Sequence, residues 1–230
     1  MIDIITGYYP ELTALQTTRL SGLLEIYSDW NSRINVISRK DMDDFYIHHV
    51  LHSLSIAKII RFREGTKVLD VGTGGGFPGI PLAIMFPEIE FTLMDSIEKK
   101  TEFLRETADE LGLKNVEVVT SRAEDYIKKG KRESYDLGLC RGVAELRVIL
   151  EYVIPFLKVG GLFLSQKLNG EEEAKEAAGA LGILNCDILQ IAKFNLPYCK
   201  DKREVVIIKK KGPSDEKYPR KAGIAKKRPL

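Results

Sequence analysis

The stretch Val68-Leu69-Asp70-Val71-Gly72-Thr73-Gly74-Gly75-Gly76-Phe77-Pro78-Gly79 decides how the rest of the chain is read. Lys67-Val68-Leu69 reads as a short buried strand with Asp70 near its carboxyl end. Gly72, Gly74, Gly75 and Gly76 follow as a turn in which no side chain separates backbone from ligand. Phe77-Pro78-Gly79 opens a helix with Pro at a first helical position, where its missing N–H costs nothing. A strand, a glycine turn and a helix N-terminus in that order form a cofactor cradle in an open α/β sheet.

Outward from this stretch the chain alternates. Strands are expected at Glu90–Asp95, Val116–Thr120, Tyr135–Arg141 and Leu162–Lys167, with helices between them. Glu171–Leu181 reads as a further helix. Cys186–Leu196 and Arg203–Lys210 are two β-rich runs with no helix between, so five parallel strands should end in an antiparallel hairpin. Residues 1–64 read as a helical extension: one helix is striped by Leu12, Leu15, Leu23, Ile26, Tyr27 and Trp30, and a second runs from about Asp41 to about Phe62. The division is then a helical extension (1–64), a Rossmann-like domain (65–211) and a basic tail (212–230) expected to be poorly ordered unless bound.

Composition narrows the function classes. The 230 residues are 44% hydrophobic and 30% charged, ordinary for a globular protein, and no apolar run is long enough to span a bilayer. Three scattered cysteines, Cys140, Cys186 and Cys199, make neither a metal motif nor a disulfide framework, which suits the cytoplasm. His48 and His52 would share a helix face but lack a third ligand, so they read as packing or polar contacts, or as a face that abuts the cofactor mouth and helps hold substrate, and no metal is assigned. The net charge of +2 hides an asymmetry: Lys209 to Leu230 holds nine Lys/Arg against two acids, a pattern that suits a polyanionic partner.

Gly74-Gly75-Gly76-Phe77-Pro78-Gly79 fits the dinucleotide pattern G-x-G-x-x-G, and Asp95 lies where a carboxylate binds a ribose diol. Both nicotinamide dinucleotides and S-adenosylmethionine carry such a ribose. Two features favour the second. Asp70 beside the turn suits a cationic amino-acid end better than a pyrophosphate, and the hairpin replaces the second parallel half of a dinucleotide domain. A nicotinamide-dependent oxidoreductase, a non-catalytic RNA-binding or assembly factor and a small-molecule methyltransferase are the alternatives.

The segment Asp70 to Ile84 closely resembles the motif of the glucose-inhibited division protein B family. So do Asp95-Ser96, Ser121-Arg122-Ala123-Glu124, Arg141-Gly142-Val143-Ala144, Tyr218-Pro219-Arg220-Lys221-Ala222-Gly223, and Asn31, Asn35 and His49 to Leu54 in the extension. His52 and Gly142 depart from that family's usual Asp and Ala. The resemblance implies a class I S-adenosylmethionine-dependent methyltransferase with a seven-stranded sheet. Its implied reaction is methylation of guanine N7 in a loop of 16S ribosomal RNA, as free RNA or in the small subunit. It implies that Gly72 and Phe77 line the cofactor pocket, that Ala123 and Glu124 meet the adenine region, and that Arg141 faces the methionine end or the transfer site, with an RNA phosphate as its alternative partner. Gly74 and Asp95 are assigned to the cofactor from the glycine pattern and its spacing. Guanine N7 has a free lone pair, so no catalytic base is nominated. RNA is expected to meet Lys167, Lys209, Lys210, Lys211, Lys217, Arg220, Lys221, Lys226, Lys227 and Arg228, with Arg33, Arg39 and Lys40 beside them, and Tyr126 and Tyr198 are candidates either to stack a base or to pack in the core.

Overall fold

The computed structural model describes residues 2–199 and 202–230. The helices are α1 (Asp3–Tyr8), α2 (Ala14–Arg33), α3 (His52–Leu54), α4 (Gly79–Met85), α5 (Glu98–Glu110), α6 (Ala123–Tyr126), α7 (Leu146–Val153), α8 (Gly170–Glu176), α9 (Ala178–Ile183) and α10 (Ile224–Lys227). The strands are β1 (Lys67–Val71), β2 (Glu90–Asp95), β3 (Val116–Thr120), β4 (Tyr135–Arg141), β5 (Leu157–Lys167), β6 (Cys186–Asn195) and β7 (Lys202–Lys210). They form one seven-stranded sheet in the order β3-β2-β1-β4-β5-β7-β6. β1 to β5 pair in parallel, and β7 inserts antiparallel between β5 and β6. The strand order reverses between β1 and β4, the switch point where open α/β sheets bind ligands.

Helix α2 starts where its sequence dictates. Thr13 and Gln16 form a reciprocal capping box, each side chain taking the other's backbone N–H. Its inner face buries Leu20, Leu23, Ile26 and Tyr27. The second N-terminal helix is not continuous. Residues 39–58 run through a 3₁₀ turn, a π-helical stretch at Tyr46–Leu51, α3 and another 3₁₀ turn. The apolar spacing around Val50, Leu51 and Leu54 is met by burial, while the hydrogen-bonding period shifts beneath it. β5 begins at Leu157, five residues earlier than expected, and the helix expected over 171–181 is broken at Ala177 into α8 and α9.

One face of the sheet packs on α4, α5 and the N-terminal helices in a single core, joining Leu20, Tyr27, Phe45, Leu54, Phe77, Phe91 and Phe103. The other face packs on α7, α8 and α9 around Ile149, Val153, Phe156 and Phe163. Aromatic rings link the N-terminal helices to the glycine turn. Tyr27 lies 5.0 Å from Phe77 and 4.9 Å from Phe103, and Trp30, the single tryptophan, lies 5.4 Å from Phe103. Among the described residues, no helix is long and apolar enough to cross a membrane.

The C-terminal segment is folded onto the body, against expectation. Tyr218 and Ala225 are buried, and Arg220 grips Glu151 of α7. Composition gives a Lys-rich segment the look of a solvated tail, but two buried side chains and an ion pair to a buried carboxylate outweigh its charge.

Candidate functional site

The glycine turn is braced from behind. Asp70, at the end of β1, accepts from the Thr73 hydroxyl at 2.8 Å and from the Gly79 amide at 3.0 Å, so one carboxylate oxygen clamps both ends of the turn. Asp70 is fully buried, and burial pushes its carboxyl up to about 7. It stands behind the cleft, as a brace for backbone groups. The Gly72 and Thr73 amides bond the Met94 carbonyl, and the Tyr27 hydroxyl donates to the Gly75 carbonyl. Glycine at 79 spares a clash: a Cβ there would fall 2.2 Å from Leu93 Cδ2, a buried side chain that would have to shift.

In front of the turn lies a cleft of about 1130 Å³. Gly72, Gly74, Phe77, Asp95, Ala123, Glu124 and Arg141, the seven residues assigned to the cofactor from sequence, all line it. Asp95 accepts from the Gly74 amide at 3.0 Å and the Ile97 amide at 2.9 Å. A carboxylate offers about four lone-pair positions, so two stay free for a vicinal diol. Gly74 adopts φ +58°, and a Cβ built on it would meet nothing nearer than 3.9 Å, leaving open space above the backbone. Glu124 accepts from the Gly223 amide at 3.4 Å.

Arg141 ends β4 and is held from the N-terminal helices. It donates to the His48 carbonyl at 3.2 Å and to His49 Nδ1 at 2.9 Å, and its guanidinium lies 5.0 Å from the centre of the Phe77 ring. Burial lowers its pKa to about 10, so it remains a cation at neutral pH. Burial, and then the nearby Arg141 charge, push His49 down to about 3. Because Nδ1 accepts from Arg141, the neutral imidazole carries its proton on Nε2, a buried donor with no protein partner. The other two histidines serve different neighbours: His48 faces Asp41 at 3.3 Å, and His52 is buried against Phe194. These features fit S-adenosylmethionine: a diol acceptor at Asp95, open backbone at Gly74, unused guanidinium donors at Arg141 for a carboxylate, and an orphaned donor at His49.

Other residues line the cleft, and among them Lys100 and Arg147 have no motif to announce them. Lys100, Arg122, Arg147 and Lys226 join Arg141, against Asp95, Glu124 and Glu145, so cations outnumber anions around the cleft. Val143 covers the turn, and a Cβ on Gly72 would lie 2.5 Å from one of its methyls. The apolar and basic letters of Lys100 and Arg147 look like any solvated helix face; only the helix positions at the strand ends reveal them.

Several residues assigned to RNA from charge have other partners. Lys210 is 0% exposed and donates to Glu133 and to the Leu157 carbonyl, so it is a core residue and out of reach of a phosphate. Lys167 is largely buried, pairs with Glu173 at 2.6 Å and donates to the Ala144 carbonyl, holding the Arg141–Glu145 loop to α8. Arg220 is committed to Glu151. Lys211 and Lys217 form exposed pairs with Asp187 and Asp215. Lys221, Lys226, Lys227 and Arg228 remain exposed, and Lys209 is half-buried. Tyr126 is buried against Phe156 and cannot stack a base, while Tyr198 is 92% exposed. Cys140 is buried, and its thiol is pushed far up by desolvation, so it is no nucleophile.

Known proteins share the fold and much of the sequence. The fold matches a methyltransferase described as S-adenosylmethionine-dependent from Aquifex aeolicus with a TM-score of 0.54 at 20% identity, covering 72% of this chain and 92% of that one. It also matches TYW2 from M. jannaschii, solved in complex with AdoMet, with a TM-score of 0.56 at 15% identity, covering 77% and 78%. Relatives named ribosomal RNA small subunit methyltransferase G match much more closely. One from Fusobacterium nucleatum is 49% identical, covering 90% of this chain and 88% of its own length, and one from Acetivibrio thermocellus is 40% identical, covering 100% and 95%. The GidB family model, described as rRNA small subunit methyltransferase G, matches residues 16–217. With the glycine turn, Asp95 and Arg141 converging on one cleft inside that matched span, the chain belongs to the rRNA small subunit methyltransferase G family.

Proposed function

We propose that this protein transfers a methyl group from S-adenosylmethionine to N7 of a guanine in 16S ribosomal RNA. The observation that carries the reading is the single cleft at the sheet's switch point, which gathers a diol acceptor, a guanidinium and a cation-rich mouth. A nicotinamide-dependent oxidoreductase is disfavoured: the antiparallel β7 stands where a dinucleotide fold continues in parallel, and the family is one of methyltransferases. The family likewise weighs against a non-catalytic factor.

When bound, the donor supplies an electrophilic methyl on a sulfonium. The protein's task is to hold two reactants collinear, which alone lowers a barrier by about 7–11 kcal/mol in well-oriented cases. Asp95 would fix the ribose, Ala123 and Glu124 would border the adenine, and Arg141 would bind the carboxylate. Guanine N7 attacks with a free lone pair, so no base has to remove a proton first. His49, neutral at any working pH, adds no positive charge to a site where a sulfonium must sit. Lys221, Lys226, Lys227 and Arg228, with Lys100 and Arg147 at the cleft, would meet RNA phosphates.

Incubation with labelled S-adenosylmethionine and either naked 16S RNA or small subunits tests the proposal, with the modified base mapped by cleavage at 7-methylguanosine. One labelled guanine in one loop is the expected result. Label on another atom or base, or none on either substrate, would overturn it.

A further inference from the structure

The segment after residue 217 lies outside the matched family span, and its basic composition invites a role in RNA binding. Its position points elsewhere. Lys226 and Pro229 line the same cleft as Asp95 and Glu124. The Gly223 amide reaches the Glu124 carboxylate, which itself borders that cleft. One guanidinium holds the segment in this course. Arg220 takes both oxygens of Glu151 through Nε and Nη2, at 2.6 to 3.1 Å, and its backbone amide reaches the same carboxylate at 2.7 Å. Nη2 also donates to the Arg228 carbonyl at 2.8 Å, so a single side chain staples residue 220 to residue 228 and both to α7. Glu151 is 0% exposed, and a buried carboxylate holds its cation strongly because the alternative is an unpaired charge in the interior. Arg132 secures the start of the segment through the Tyr218 carbonyl.

We infer that residues 218–230 form a strap that completes the Glu124 end of the methyl-donor pocket, with Arg220 as the positioning residue that holds it there through Glu151 and the Arg228 carbonyl. This rests on the donor reading proposed above. The strap walls the pocket with Lys226 and Pro229 and presents the exposed Lys221, Lys227 and Arg228 beside its mouth, so one segment shapes the donor site and adds charge next to it.

The test is calorimetry with S-adenosylhomocysteine on the full chain, on a chain ending at Ala222, and on Arg220→Gln and Arg220→Lys. Melting temperature without ligand and the separate KM values for donor and RNA are measured alongside. The full chain should bind. Ending the chain at Ala222 or substituting Gln for Arg220 should weaken binding about tenfold or more, the size expected for losing hydrogen bonds to a charged group. In Arg220→Gln the donor KM should rise while kcat at saturating donor holds, and Arg220→Lys should recover part of the affinity. Unchanged affinity in the shortened chain and in Arg220→Gln, with or without a fall in melting temperature, would reduce the strap to a structural end and overturn the inference. A full chain that binds no S-adenosylhomocysteine would instead overturn the donor reading, and the strap's role with it.

Discussion

The glycine turn and the C-terminal strap wall the same cleft, yet they are held in opposite ways. The turn is fixed by a fully buried carboxylate: Asp70 accepts from a hydroxyl and an amide, and among the described residues its second oxygen has no hydrogen-bond partner. The strap is fixed by an equally buried carboxylate, Glu151, saturated by a guanidinium. The turn belongs to the core and has nowhere to relax. The strap packs against α7 and adds only Tyr218 and Ala225 to the buried residues, so opening it is expected to take less than unfolding the whole. Damage to the first should therefore appear as global instability, and damage to the second as local opening.

The sharpest way to break the comparison is Gly79→Ala. The new methyl would meet Leu93 Cδ2 at 2.2 Å and Asp70 Oδ2 at 3.0 Å, both in buried side chains. A loss of about 3 kcal/mol is expected, read from the midpoint of urea unfolding. Arg220→Ala should cost less globally, about 1–2 kcal/mol, because an undocked strap lets water reach Glu151 and limits the penalty of a lone buried charge. Hydrogen exchange should show lost amide protection confined to residues 218–228. A global loss as large as that of Gly79→Ala would mean the strap is part of the core after all.

A gentler probe is pH. The Asp70 carboxyl moves from 3.8 when unfolded to about 7 when folded, mainly by desolvation, so the folded chain binds the extra proton between those values. Its contribution to stability is complete below about pH 4 and is lost as pH rises through 7. The slope from this one group is at most about 1.4 kcal/mol per pH unit. Asp70→Asn should flatten the decline between pH 5 and 7 in a series of unfolding midpoints, and an unaltered slope would assign the decline to other groups. At the bottom of the scale, Lys211→Ala removes an exposed pair with Asp187 and should leave the melting temperature where it was.

The same contrast explains what could be read before the structure. The turn was legible because its chemistry is local: strand, glycines, Pro78 and Asp95 lie within 28 residues, and each residue type has one physical use there. The sheet order followed, since a β-rich pair without a helix has to close antiparallel. The strap was not legible because its anchor lies 69 residues away in sequence, on a helix whose Glu151 looks like any solvated acid. Lys210 misled for the same reason. Its partner Glu133 is 77 residues distant, and only the fold turns a charged strand end inward. The expected second helix failed differently: apolar spacing reports which side is buried, but it does not resolve a π turn at Tyr46–Leu51 from an α-helix.

Trp30 touches Phe103, Phe103 touches Tyr27, and the Tyr27 hydroxyl holds the carbonyl of Gly75 inside the turn. With one indole among nine tyrosines, excitation selective for tryptophan reads a single vantage point, three contacts from the place where a methyl donor would rest. The expected consequence is an optical gauge: adding S-adenosylhomocysteine should change the tryptophan emission, with no dye and no engineered label.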